Sequence, residues 1–203
     1  MGRNCGEGLP VSNVARKRAV LLATVAGLLL LQAIHSQVDL GFDRSDWWRV
    51  LSGQLVHNNT THFLTNALAL VLLRILYWQD FDLAEFELAL VVIAITTGVL
   101  VATFSAELDY YVGLSGVLHG LVVAGAGRLW FSNKGMAVSV IVLLTLKLVA
   151  ERYLPGYNDG VAGLIGLPVA VQVHGFGALA GVVFVLFDQG FLRWSGRFNR
   201  GGS

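Results

Sequence analysis

The apolar residues of this chain fall into long windows separated by short polar stretches, and six of these windows approach the length of a membrane-crossing helix. A hydrocarbon core about 30 Å thick needs about 20 apolar residues of helix. The windows are Ala19 to Ile34, about His62 to Trp78, Leu88 to Ala106, the glycine-rich run from Gly113 to Arg128, Met136 to Leu148, and a sixth inside the uncharged run Gly160 to Phe187. The first follows Arg16, Lys17 and Arg18, as the apolar run of a secretory signal does, but LQAIHSQ offers no small-x-small cleavage site. The pattern predicts an all-α membrane protein with six transmembrane helices.

Between the first two windows, Gln37 to Asn59 forms a long connection, VDLGFDRSDWWRVLSGQLVHNN, whose Trp47 and Trp48 suit a water–lipid boundary. The pair reads either as an anchor belt or as part of a gate. No internal repeat or low-complexity segment appears. The expected organisation is a cytoplasmic segment 1–18, a six-helix domain 19–188 and a cytoplasmic tail 189–203, with RFNRGGS as a disordered end.

Lysine and arginine in the short loops orient such a protein. With the amino terminus inside, the inner ends collect Arg3, Arg16, Lys17, Arg18, Arg128, Lys134, Arg193, Arg197 and Arg200, against Arg44, Arg49, Arg152 and Lys147 outside. Both termini are therefore expected in the cytoplasm. The acidic loop QDFDLAEFE adds no inward bias.

Composition agrees with a membrane protein. Of 203 residues, 55% are hydrophobic and 13% charged, where a soluble domain has roughly 25% charged residues. Mean hydropathy is +0.67. A formal net charge of +1 and the lack of interleaved basic and aromatic residues argue against a nucleic-acid partner. Cys5 is the single cysteine, so no intramolecular disulfide forms.

Polar side chains at membrane depth are costly, which makes each a functional candidate. Window two opens with His62 and Asn66, about 40° apart on one helical face, whereas His57 falls in the preceding loop. Window four carries Ser115 and His119, and window six Gln172 and His174. Single histidines and serines also serve as glue between helices. Under the derived orientation, however, His62, Asn66, Ser115 and His174 all fall in the outer parts of three helices.

The chemistry that fits is nucleophilic. A serine hydroxyl needs an adjacent base and donors for the developing oxyanion. Gly113 and Gly116 allow a tight turn beside Ser115, which could then sit at a helix start with free amides. His62 and Asn66 supply side-chain donors. No Asp or Glu occurs within windows two, four and six, so the expectation is a Ser-His dyad. Two histidines compete as base. His119 lies one turn after Ser115, while His174 can approach if Gly177 and Gly181 dock on Gly116 and Gly120; the docking favours His174. Four histidines without a carboxylate or thiolate, and without the HExxH spacing, argue against a metal, and no cofactor is implied.

Taken together, the WWR of the first connection, the spacing of His57, His62 and Asn66, the GLSG at 113–116, and His174 with its glycine ridge resemble the rhomboid intramembrane serine proteases over nearly the whole chain. The resemblance implies a six-helix rhomboid-like bundle in which Ser115 is the nucleophile and His174 the general base. It further implies an oxyanion hole of His62, Asn66 and the Ser115 amide, and a structural role for His57. His119 stands where many rhomboids carry a tyrosine against the catalytic histidine. That departure, with SGVLHG, LKLVAE at 146–151 and DRSDWWR, is similar to the rhombosortase subfamily. The similarity implies substrates that are bacterial envelope proteins ending in a Gly-Gly motif, a transmembrane helix and a basic cluster. Cleavage would then occur at the outer face of the bacterial inner membrane. Two rivals are a catalytically inactive rhomboid-like protein that binds transmembrane helices, against which the joint presence of Ser115 and His174 argues, and a small transporter relaying protons through the histidines, which lacks an intramembrane carboxylate partner.

Overall fold

Lipid offers no partner for a backbone amide, so an apolar chain satisfies its backbone within helices. The computed structural model describes residues 11–43, 45–77 and 80–194, and eight helices lie among them. Six are long: α1 (Val11–His35), α3 (Thr60–Leu76), α4 (Leu83–Phe104), α5 (Ser115–Ser132), α6 (Lys134–Tyr153) and α8 (Val171–Trp194). Two are short, α2 (Arg49–Leu55) and α7 (Asp159–Ile165). Arg3, Cys5, Arg44, Trp78, Arg197, Arg200 and the terminal RFNRGGS lie outside the described residues.

Side-chain caps fix the starts of three long helices, α3, α4 and α6. The acidic loop that adds nothing to the charge count starts α4: the Asp82 carboxylate accepts from the Glu85 amide at 2.8 Å, and Glu85 accepts from the Asp82 amide at 3.0 Å, a reciprocal cap. Asn59 caps α3 through the His62 amide at 2.8 Å, and Asn133 caps α6 through Met136 at 3.0 Å. The run from Gly160 to Phe187, uncharged throughout, holds not one helix but parts of two, α7 and α8, separated by a turn containing Pro168.

By length and composition, Val14–His35, Ala84–Phe104 and Val171–Asp188 are apolar enough to cross a membrane, and Thr60–Leu76 is a shorter apolar helix. The protein is a membrane protein. α5 and α6 are less apolar because they carry Ser115, His119, Arg128, Lys147 and Glu151.

The long first connection is folded onto the bundle rather than loose. Gln54 of α2 is buried and donates to the Ala94 carbonyl of α4 at 2.8 Å. Phe42 pairs with Tyr111 in an isolated antiparallel bridge, which joins this connection to the segment leading into α5. Arg49 is held by Asp43 at 2.9 Å and by the Gly41 carbonyl at 3.0 Å, with its guanidinium 5.1 Å from the Trp48 ring centre. Trp47 beside it is 85% exposed.

α5 is the most buried helix and packs chiefly on α8. The contact is made by glycines. A Cβ at Gly177 would lie 1.8 Å from the Gly116 carbonyl oxygen, and one at Gly181 2.4 Å from that of Gly120. Backbones approach this closely only where side chains are absent. Gly177→Ala therefore overpacks the contact, at a cost of about 1–3 kcal/mol. Gly175→Ala, at a position with nothing within 4 Å, is the control. Thermal unfolding in detergent is expected to show a lower midpoint for the first variant alone, and equal midpoints would reject the ridge as a determinant of stability.

Candidate active site

The glycine contact sets α8 against the amino-terminal end of α5, and the polar groups meet there. Ser115 is the first residue of α5 and His174 lies in the first turn of α8. The Ser115 hydroxyl is 3.0 Å from Nε2 of His174. His174 is buried and Ser115 is partly open to a cavity of about 700 Å³. At the first turn of a helix, backbone amides have no intrahelical acceptor, so those of Ser115 and its successors face the end where the hydroxyl sits.

The turn before Ser115 demands glycine. Gly113 has φ of +126°, a conformation that side chains disfavour. A Cβ there would also lie 2.7 Å from Nε2 and Cε1 of His62. The turn is fixed on both sides: the Gly113 amide donates to the Gly53 carbonyl at 2.9 Å, and the buried Tyr111 hydroxyl donates to the Gly113 carbonyl.

His62 and Asn66, one turn apart on α3, are both buried and both line the cavity with Ser115. Asn66 Nδ2 has no hydrogen-bond partner among the described residues. A buried amide without a partner is costly, and this one borders the space in front of Ser115. His57 lies in the loop between α2 and α3. Its backbone is held by Gln32 of α1, which accepts from the His57 amide and donates to its carbonyl, both at 2.8 Å. The His57 ring packs edge-on against His62, with centres 5.0 Å apart. It thus bears on His62 rather than on the cavity.

One expectation is overturned. His174 does have a carboxylate partner: Nδ1 lies 2.9 Å from Oε2 of Glu151. Glu151 is in the last turn of α6, past the Met136–Leu148 window, and its side chain is 5% exposed. The dyad is a geometric triad of serine, histidine and glutamate. Lys147, one turn earlier on α6, forms an ion pair with Oε1 of Glu151 and donates to Nε2 of His119 at 2.9 Å. His119 in turn stacks on His174, with ring centres 4.2 Å apart and planes 14° apart, and its Nδ1 is 2.6 Å from the Ser115 carbonyl.

His119, Glu151 and His174 place ligand atoms within 4.8 Å of one another, so the premise that no carboxylate accompanies the histidines also fails. Stacked rings, however, direct their in-plane lone pairs side by side rather than to one point, and the Lys147 ammonium already lies between His119 and Glu151. The arrangement fits an ion-pair network better than a tetrahedral metal site.

In the comparison against known families, residues 44–190 match the Rhomboid domain model. The chain belongs to the rhomboid family. Rhomboid proteins are generally intramembrane serine proteases, and the matched region contains all eight residues singled out for the site, from His57 to His174. No curated protein sequence matches the chain.

Access to the rhomboid site is from two directions. The cavity over Ser115 is rimmed by Tyr110, Val161, Pro168 and Gln172, with Gln172 donating to Glu107 at 3.2 Å. Burial, and then the Asp39 carboxylate, push the Tyr110 phenol up to about 12, so it remains a donor to Asp39 at 3.1 Å. A second opening, of about 700 Å³, follows α3 from Asn66 to Leu76 and faces Leu144 and Lys147 of α6. It is nearly all apolar and reaches Ser115.

Proposed function

We propose that this rhomboid is an active intramembrane serine endopeptidase in which Ser115 is the nucleophile and His174 the general base. The observation that carries the reading is the 3.0 Å contact between the Ser115 hydroxyl and His174 Nε2, backed by the Glu151 carboxylate at Nδ1. Ser115 attacks the scissile carbonyl while its proton passes to Nε2. The imidazolium that forms is stabilised by Glu151, which accepts from Nδ1 and keeps the ring in the required tautomer. Asn66 Nδ2, His62 and the Ser115 amide face the developing oxyanion. His174 then returns the proton to the leaving amine, and the acyl-enzyme is resolved by water or by another nucleophile such as an amine.

The substrate is a transmembrane helix. The apolar opening between α3 and α6 gives a path from lipid to Ser115, and the cavity over Ser115, which holds His62, Asn66, Asn158 and Gln172, gives water a route to it. A helical peptide bond must unwind before attack, which glycine eases. The likeness of SGVLHG, LKLVAE and DRSDWWR to rhombosortases supports reading the substrate as an exported bacterial protein with a C-terminal Gly-Gly sorting signal. The charge asymmetry of the loops supports six spans in the inner membrane, both termini cytoplasmic, with the site opening to the periplasm.

The test is covalent labelling of the purified full-length protein by a fluorophosphonate, with the modified residue mapped by mass spectrometry. Modification at Ser115 is expected. An unmodified Ser115 under conditions where the protein remains folded would reject the nucleophile, and with it the protease reading.

A further inference from the structure

His119 and Lys147 have no part in the steps just described, yet the site is built around them. Lys147 lies on α6 among Leu143, Leu144, Leu146 and Leu148. A cation on so apolar a helix is costly unless it is held. Its ammonium is held by Oε1 of Glu151 and Nε2 of His119.

An ammonium donates and never accepts. Nε2 of His119 is therefore the acceptor, its proton is on Nδ1, and Nδ1 donates to the Ser115 carbonyl. With Oε1 of Glu151 taken by Lys147, Oε2 is left to accept from Nδ1 of His174. Nε2 of His174 is then the lone pair that faces the Ser115 hydroxyl. One fixed charge assigns every proton in a ring that starts and ends at Ser115.

Resting on the protease reading above, we propose that Lys147 is a positioning residue: its ammonium, clamped between His119 and Glu151, sets the tautomers of the two stacked imidazoles and holds Glu151 toward His174.

The experiment is the rate of fluorophosphonate labelling at Ser115 in the full-length protein, with the unfolding midpoint of each variant measured beside it. Lys147→Met, which removes both charge and donors, is expected to slow labelling by about tenfold or more. Lys147→Arg, which restores a cation with several donors, is expected to recover most of the rate. A rate unchanged in Lys147→Met overturns the proposal, as does a loss that Lys147→Arg fails to rescue while both variants remain folded. Absence of labelling at Ser115 in the unaltered protein instead overturns the protease reading and the role of Lys147 with it.

Discussion

Ser115→Ala is expected to remove cleavage of a transmembrane reporter by about 10⁴-fold or more, because serine, base and carboxylate act as a unit, and to leave the folded protein intact. The second half rests on position. Ser115 occupies the first turn of α5, where alanine is well tolerated, and the hydrogen bond its hydroxyl makes is to His174. The close packing next to it is made by Gly116 against Val173 and Gly177, which the substitution does not touch. Reporter cleavage in cells, together with thermal unfolding of the purified variant, checks both halves. Processing at the original rate would show that the hydroxyl is not the nucleophile and would favour a protein that binds helices without cutting them.

Glu151→Gln has the next largest expected effect, a fall in turnover of about 10²- to 10⁴-fold. A glutamine can keep the shape but not the charge. It can present its amide nitrogen to His174, which reverses the tautomer and turns Nε2 into a donor facing Ser115, and it leaves the Lys147 ammonium without its counter-ion. The His174 imidazolium then forms with no carboxylate beside it. If the dyad were sufficient, the same variant would lose only a few-fold. Cleavage of a reporter at saturating expression, with the variant's unfolding midpoint as control, separates the two. A rate within about threefold of the original would return Glu151 to a packing role, since that is less than a fully engaged orienting carboxylate supplies.

These two residues differ in how visible they were in sequence. Ser115 sits in an uncharged run between Gly113 and Gly116, so its cost in lipid and the flexibility around it mark it without coordinates. Glu151 lies in the segment AERYLP, where an apolar window gives way to the polar end of a helix, and there a charge needs no special explanation. The helices that carry serine and histidine hold no carboxylate near the site, and the partner comes from α6 instead. A usable signal was present: Lys147 and Glu151 are four apart, on one helical face, and Lys147 lies within the apolar window itself.

By itself the sequence determined whatever depends on the cost of polarity in lipid: an apolar helical chain, with a short set of serine, histidine and asparagine residues whose presence requires a function. The glycines at 116, 120, 177 and 181 even indicated which helices meet. Only the tertiary structure decided the relations that depend on angle and depth. It split the last uncharged run into α7 and α8, folded the first connection against α4, and turned the last turn of α6 toward His174. Composition and spacing report how each segment meets its surroundings, whereas the rotation of one helix about its axis against another is set by the packing of all of them together.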